Sequence, residues 1–312
     1  MSLYAEKFRA ASDLLGELDQ YYAYIDGAFL RGREAQISVW DHGYLYGDSV
    51  FEGVRAYEGR IFKLPEHLDR LFDSAKSIKI NCPLSREELS EVVVHTFRRN
   101  EIRDGHGRTI LSRGIGSMGL DPRKTRMPSV VVMTYPLPAT YGEKPVRMIT
   151  SSVRRKGPLS VDAKVKCSNY MDNILAKLQA IAAGTDEALM LDGQGFVAEA
   201  TAENVFVVKR GSLATPFTTA ALQGITRDTV IELVRAEGVN VEERNLTVHD
   251  LYIADEVFLT GTAAEIAVVG ELDGRTIGSG SMGKVTTQVR HLYQTYARSN
   301  HGTPIFDEDP GR

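Results

Sequence analysis

The densest run of residues able to do chemistry is Glu199-Ala-Thr-Ala-Glu203-Asn204-Val-Phe206. It continues through Leu213-Ala-Thr215 to Leu222-Gln-Gly224-Ile225-Thr226-Arg227. Two carboxylates stand four residues apart, and a helix start follows them. Gly224-Ile225-Thr226 precedes the helix that Arg227 enters, so free backbone N–H groups and the helix dipole face an anion there. The Thr226 hydroxyl adds a donor, and a plain N-cap role suits it equally. Upstream, Lys164 and Lys166 lie two apart on an extended segment and so face the same side.

Other motifs lead nowhere. Gly114-Ile-Gly116-Ser-Met-Gly119 fits the dinucleotide fingerprint but runs into Leu120-Asp-Pro122 and Pro128. A dinucleotide site needs that fingerprint to open a helix. Gly278-Ser-Gly-Ser-Met-Gly283-Lys284 is close to a P-loop, yet Val285 stands where Ser or Thr should bind magnesium. The two cysteines, Cys82 and Cys167, form no CxxC pair, and the seven histidines form no HExxH, so no metal site is expected.

The elements that must position these residues are read from local signals. Residues 22–30 read as a strand broken by an Asp26-Gly27 turn, and 49–57 and 60–64 as strands joined at Glu58-Gly59. Pro65 opens a helix that continues over 67–79, and Ser85-Arg-Glu-Glu88 is a capping box for another through Arg99. Strands follow at 108–113 and 130–135. Pro136-Leu-Pro138 and Tyr141-Gly-Glu-Lys-Pro145 break regular structure. That places a small α/β domain at 1–135, a linker at 136–145 and a larger domain at 146–312.

In the larger domain a strand covers 146–153. Met171, Ile174, Leu175, Leu178 and Ile181 carry helical spacing that ends at Gly184. Strands at 188–191, 195–200, 205–209 and 213–215 turn at Asp192-Gly193 and Arg210-Gly211. Helices cover 227–237 and 285–297, and the polar tail from Ser299 reads as loose. The fold class is α+β in two unequal parts.

The long spaced pattern from Glu199 to Arg227 resembles the signature of the fold-type IV pyridoxal 5'-phosphate (PLP) enzymes, the branched-chain aminotransferase group. Further matches are Asp41-His-Gly43, Tyr46-Gly-Asp-Ser-Val-Phe51-Glu-Gly53, His67-Leu-Asp-Arg70-Leu, Lys166-Cys-Ser-Asn169-Tyr170 and Thr260-Gly261-Thr262-Ala-Ala-Glu265. They cover nearly the whole chain in the right order.

The resemblance implies PLP as cofactor and a lysine amine that holds it and shuttles a proton. Motif spacing favours Lys166 over Lys164. By the same likeness Glu199 pairs with the pyridine nitrogen, and a carboxylate there favours the protonated ring. Glu199→Ala should then lower the rate far more than the stability. Glu203 is left a structural part near Asn204. Gly224, Ile225, Thr226, Gly261, Thr262 and Arg70 bind the phosphate, Arg70 as a bidentate donor. Tyr170 bonds the ring oxygen and Leu222 packs on the ring. Taken alone, Arg70 would be a solvated helix residue, and Tyr170 and Leu222 would be core.

Phe51 and Gly53 match the branched-chain type of substrate pocket, with Arg108, Thr262 and Ala263 beside them. Tyr46 matches a residue that the family draws from a partner subunit, implying a homodimer. Two places depart from the pattern. His106-Gly107-Arg108 stands where branched-chain enzymes carry Tyr-Ile-Arg, and Leu137 takes the place of a linker aromatic. The implied activity is transamination between an L-branched-chain amino acid and 2-oxoglutarate by a ping-pong mechanism. The rivals are a D-amino-acid or (R)-amine transaminase and an aminodeoxychorismate lyase on the same fold. A non-catalytic binding protein is opposed by Lys166, Glu199 and Arg70 occurring together.

The bulk properties agree. The chain has 312 residues, 43% hydrophobic and 25% charged, an ordinary globular balance. A net charge of -4 argues against broad nucleic-acid binding. No apolar run is long enough to span a bilayer, and residues 1–7 carry no signal-peptide stretch. Unpaired cysteines suit a reducing cytoplasm.

Overall fold

The computed structural model describes residues 16–299 and 301–306. The expectations for residues 1–7 and for 307–312 of the tail lie outside them. The chain divides into two compact units, residues 1–137 with 302–312, and residues 138–301.

The first unit is built on an antiparallel sheet of β1 (Tyr22–Ile25), β2 (Ala28–Arg31), β3 (Ser49–Tyr57), β4 (Arg60–Ile61), β5 (Gly105–Ser112) and β8 (Ser129–Tyr135), in the order β4-β3-β5-β8-β1-β2. Asp26 and Gly27 make the β1–β2 turn with φ of 48° and 99°, the left-handed pair a tight hairpin requires. The segment expected as a strand over 60–64 is a strand for two residues only, because α2 (Leu64–Ser77) has Pro65 in its first turn and claims Leu64. Leu64, Leu68, Leu71 and Ala75 recur at helical spacing and are buried. The Ser85–Glu88 capping box starts α3 (Arg86–Arg99), whose Leu89, Val93 and Phe97 are buried. Thr303–Pro304 add a short edge strand beside β4, so these residues join the first unit although they follow the second in sequence.

The glycine fingerprint at 114–119 forms a small arm of β6 (Ile115–Gly116) paired with β7 (Thr125–Arg126); only the single 3-10 turn Pro122–Lys124 lies between them, and the glycines open no α-helix. α1 (His42–Tyr46) precedes β3, with the Asp41 carboxylate accepting from the Gly43 N–H.

The second unit carries a mixed sheet of β9 (Val146–Arg154), β10 (Glu187–Leu191), β11 (Val197–Ala200), β12 (Asn204–Lys209), β13 (Ser212–Thr215), β14 (Val241–Glu243), β15 (Glu256–Gly261), β16 (Glu265–Leu272) and β17 (Arg275–Thr276). β9 runs parallel to both β10 and β16, and β13 parallel to β14; the remaining pairs are antiparallel. Helices α4 (Met171–Ala182), α5 (Ile225–Ala236), α6 (Val248–Tyr252) and α7 (Lys284–Ala297) complete the unit. One core joins Val146, Met148, Leu189, Val205, Val257, Leu259 and Val269 with Leu246, Leu251 and Ile277.

The near P-loop at 278–284 opens α7, but Glu256 fills the anion position. Its carboxylate accepts from the Val285 N–H at 3.0 Å and the Thr286 N–H at 2.7 Å. A phosphate would meet a like charge there.

Candidate active site

The second unit gathers most of the expected cofactor residues. Glu199 lies on β11 and is buried. Its Oε1 accepts from Arg155 Nε at 2.6 Å, and its Oε2 accepts from the Leu222 backbone N–H at 3.0 Å. Arg155, just past the end of β9, also donates to Asp172 in α4 at 2.7 Å, and its side chain is 1% exposed. No motif in the sequence points to this arginine. The only sequence signal was the basic run Arg154-Arg155-Lys156 at a strand end, which usually means a solvated face.

Burial pushes the Glu199 carboxyl up, while Arg155, the Leu222 N–H and Lys166 pull it back. The result is a fixed carboxylate of raised basicity, suited to share a proton with a ring nitrogen.

The spacing of the signature has a mechanical reason. Asn204 donates its amide N–H to the Leu222 carbonyl at 2.8 Å, while Glu199 holds the Leu222 N–H. Both polar groups of that backbone unit are thus fixed, and the half-buried Leu222 side chain is set in place. Two residues on, Gly224 sits so close to Asn204 that a Cβ would fall 2.0 Å from its Oδ1. The glycine is required by this approach, since its φ of -75° suits any residue. No side chain caps the start of α5, so the backbone donors of Ile225 and Thr226 are presented at a helix N-terminus. Thr226 is buried at that start, and Gly224 and Ile225 are half-buried.

Lys166 is half-buried, with Nζ 5.8 Å from the Tyr170 ring centroid. Lys164 is exposed. Tyr170 immediately precedes α4, and the Arg155 guanidinium also lies over its ring at 5.8 Å. Gly261, Thr262 and Ala263 form the tight turn between β15 and β16, where Gly261 pairs with Glu265. The Ala263 carbonyl accepts from the Thr140 N–H at 3.0 Å.

Behind that turn lies a second buried carboxyl. Glu203 Cγ would be 3.4 Å from a Cβ on Gly261, and Glu203 Oε2 has no hydrogen-bond partner among the described residues. Burial, with the Glu187 charge adding to it, pushes Glu203 up to about 8. Glu187 itself is satisfied by Lys177 at 2.7 Å and the Tyr141 hydroxyl at 2.8 Å. Glu203 is therefore protonated in the folded chain at neutral pH, whereas an unfolded glutamate lets go near ~4.3. The stabilising proton is fully held below that lower value and lost as pH rises through about 8. Glu203→Gln should remove this dependence. Calorimetric melting from pH 5 to 9 should then show a flatter decline in the variant; curves that stay parallel would count against a buried neutral Glu203.

The first unit holds Arg70, Tyr46, Phe51, Gly53 and Arg108. Arg70, on α2, donates from Nε and Nη2 to the two Glu52 oxygens at 2.6 and 3.0 Å, and His67 Nδ1 lies 2.7 Å from the same carboxylate. Burial alone would push Glu52 up, but Arg70 and His67 hold it well below the usual carboxylate range. The guanidinium is thereby fixed in orientation. Tyr46 closes α1; its hydroxyl accepts from the Gly119 N–H at 2.9 Å and its ring meets His42 edge-on.

Gly53 pairs with Arg108 across β3 and β5, and the Arg108 guanidinium lies 4.0 Å from the Phe51 ring centroid. The departure at His106-Gly107 has a packing cause in part. A Cβ on Gly107 would fall 2.7 Å from the Phe97 ring, so isoleucine cannot stand there. Leu137, the other departure, offers its carbonyl to Arg55 at 3.2 Å.

A fixed buried carboxylate, an uncapped helix start and a half-buried lysine, all within one unit, suit a protonated heteroaromatic ring that carries a phosphate. That is the class of PLP-dependent enzymes. A profile described as Amino-transferase class IV matches residues 49–272, and the chain belongs to this family. It is 48% identical over 286 residues to the putative branched-chain-amino-acid aminotransferase of Methanocaldococcus jannaschii, covering 91% of this chain and 99% of that one. It is 38% identical to the branched-chain-amino-acid aminotransferase of Pseudomonas aeruginosa, covering 86% and 90%. Among solved structures, a T.th. branched-chain amino acid aminotransferase complexed with N-(5'-phosphopyridoxyl)-L-glutamate superposes with a TM-score of 0.86 at 39% identity, covering 89% of this chain and 94% of that one.

Among the described residues no helix is long and apolar enough to cross a membrane, and no group of metal-ligating side chains forms.

Proposed function

We propose that the chain transfers the amino group of an L-branched-chain amino acid to 2-oxoglutarate by ping-pong exchange, with PLP as cofactor. The observation that carries this reading is the Glu199 carboxylate, fixed by Arg155 and the Leu222 N–H beside the uncapped start of α5. The substrate class rests on relatives of nearly full length whose names state it, and the acceptor on the glutamate adduct held by the T.th. enzyme.

When bound, PLP supplies an electron sink that makes the substrate's Cα–H acidic. The chain's residues do the rest. The Lys166 amine holds the cofactor and moves the proton at the substrate's Cα. Glu199 keeps the ring nitrogen protonated, and Tyr170 donates to the ring oxygen. Leu222 covers the ring face. Within the second unit, Gly224, Ile225, Thr226, Gly261 and Thr262 hold the phosphate. In the first unit Phe51 and Gly53 shape the side-chain pocket, Arg108 receives the substrate carboxylate, and Tyr46 is offered to the pocket of a second copy; in the second unit Thr262 and Ala263 are substrate contacts.

The enzyme works as a homodimer in the cytoplasm. Supporting the dimer, the first unit exposes Val39, Trp40, Tyr44, Ile115, Met118 and Leu120, each at least half exposed. So large an apolar patch is unusual on a monomer.

The test is the visible spectrum of the PLP-loaded protein after adding single amino donors without an acceptor. L-leucine alone should bleach the cofactor band. Bleaching by D-alanine or an (R)-amine only would overturn the substrate class, and pyruvate release without an oxo acid would mark a lyase.

A further inference from the structure

The carboxylate assigned to the ring nitrogen belongs to a row of charges. Arg155 stands between Glu199 and Asp172. Its Nε donates to Glu199 Oε1 at 2.6 Å, and its Nη1 donates to Asp172 Oδ2 at 2.7 Å. Asp172 lies in the first turn of α4, which turns its polar side chains to its own unit and leaves Ile174, Leu178 and Ile181 exposed. Asn173 donates to the Thr201 carbonyl and Lys177 to Glu187, and these bonds already tie the helix down. An acid in a first turn meets the helix dipole favourably wherever it points. Neither role requires a carboxylate aimed at a guanidinium that is 1% exposed.

A count of acceptor sites gives the reason. An ionised carboxylate offers about four lone-pair sites. On Glu199, Arg155 Nε takes one, the Leu222 N–H takes another at 3.0 Å, and the Asn204 amide approaches Oε2 at 3.5 Å. That leaves a last site open. A guanidinium commonly takes a carboxylate with two parallel N–H groups. Arg70 does so on Glu52, with Nε at 2.6 Å and Nη2 at 3.0 Å. On Glu199 only the Nε of Arg155 is used. Asp172 pulls the opposite corner of the guanidinium, Nη1, and keeps the contact single.

We propose that Asp172 is a positioning residue for amino transfer: by holding Arg155 to one bond, it reserves the last acceptor site of Glu199 for the N–H of a protonated pyridine ring. The proposal rests on the PLP reading above. Without the Asp172 charge, Arg155 closes on Glu199 as Arg70 closes on Glu52, and the ring nitrogen gives up its proton to solvent more readily. Burial alone would push Asp172 up, but Arg155 and Lys156 hold it below the usual carboxylate range, so it is charged at neutral pH. The other charged groups here are Lys156, with Nζ 3.8 Å from Asp172, and Lys166, which acts on Glu199 directly. Glu203 also faces Glu199, in its neutral form.

The experiment is nitrogen-15 NMR of the protein loaded with PLP labelled at the ring nitrogen, titrated with pH without substrate, with kcat and KM measured beside it. In the wild type the ring nitrogen should carry its proton at neutral pH. In Asp172→Asn, which keeps the size and loses the charge, the midpoint of that titration should fall by about one pH unit or more. Its kcat with L-leucine should fall about tenfold with KM little changed, the mark of an interaction made in the transition state. Asp172→Glu restores the charge and should recover the midpoint. A lower melting temperature in Asp172→Asn with the midpoint unmoved would show a helix-end role only and overturn the proposal. Should the variants fail to fold, a crystal structure of the PLP-loaded wild type decides: a single Arg155 bond on Glu199 supports the proposal, and a two-bond fork overturns it. A wild type that takes up no PLP, or holds the ring unprotonated, overturns the reading of Glu199 itself.

Discussion

Replacing Lys166 with alanine is expected to lower amino transfer by at least about a thousandfold, since the variant loses both the amine that holds the cofactor and the base that moves the proton. The fold should survive. Lys166 is only half-buried and lies on an irregular segment before α4, so truncation opens no cavity in the core. Turnover with L-leucine and 2-oxoglutarate, measured beside the melting temperature, separates the two effects. Peptide mapping after borohydride reduction gives an independent readout, because the cofactor's mass should stay on Lys166 in the wild type. The rival is Lys164, which is exposed and whose own backbone N–H is held by Asp162. Full activity in Lys166→Ala with loss in Lys164→Ala would move the assignment by two residues.

Glu199→Gln should lower the rate by about a hundredfold or more, by removing the charge that keeps the ring nitrogen protonated. The amide preserves the shape and leaves Arg155 its bond to Asp172, so the melting temperature should fall far less than the rate. Glu199→Ala is a different experiment. From the sequence alone, alanine here would cost rate far more than stability. The structure revises that, because Arg155 is buried against this carboxylate. Removing one partner of a buried pair leaves an uncompensated charge, at a cost of about 3–5 kcal/mol. The glutamine variant is therefore the clean test of chemistry, and pairing it with Glu203→Gln tests the register. Should Glu203→Gln prove the more damaging to turnover, the pyridine partner would be Glu203.

Much of this protein was legible in the sequence because it depends on neighbours a few residues apart. The Asp26-Gly27 hairpin, the Pro65 helix start, the Ser85–Glu88 box and the stop at Gly184 are local backbone preferences, and each appears in the structure. The signature from Glu199 to Thr226 was visible for a related reason. Its spacing is set by a short excursion that returns Leu222 and Gly224 to Glu199 and Asn204. Residue types at fixed offsets carry that information even when their contacts are unknown.

What only the tertiary structure decided are pairings across long separations. Nothing near Arg155 in sequence announces that it will be buried against Glu199, forty-four residues away. Glu256 caps α7 from about thirty residues upstream, which removes the phosphate role that Gly278–Lys284 resembled. Thr303–Pro304 return to the first unit through pairing with β4. Most of all, helical spacing in α4 showed that an apolar stripe exists but could not show which way it faces. Periodicity fixes which side chains share a face; the direction of that face is set by where Arg155, Thr201 and Glu187 wait for its polar partners. A buried polar group left unbonded costs more than an apolar one left in water, so in α4 the polar face took the inside.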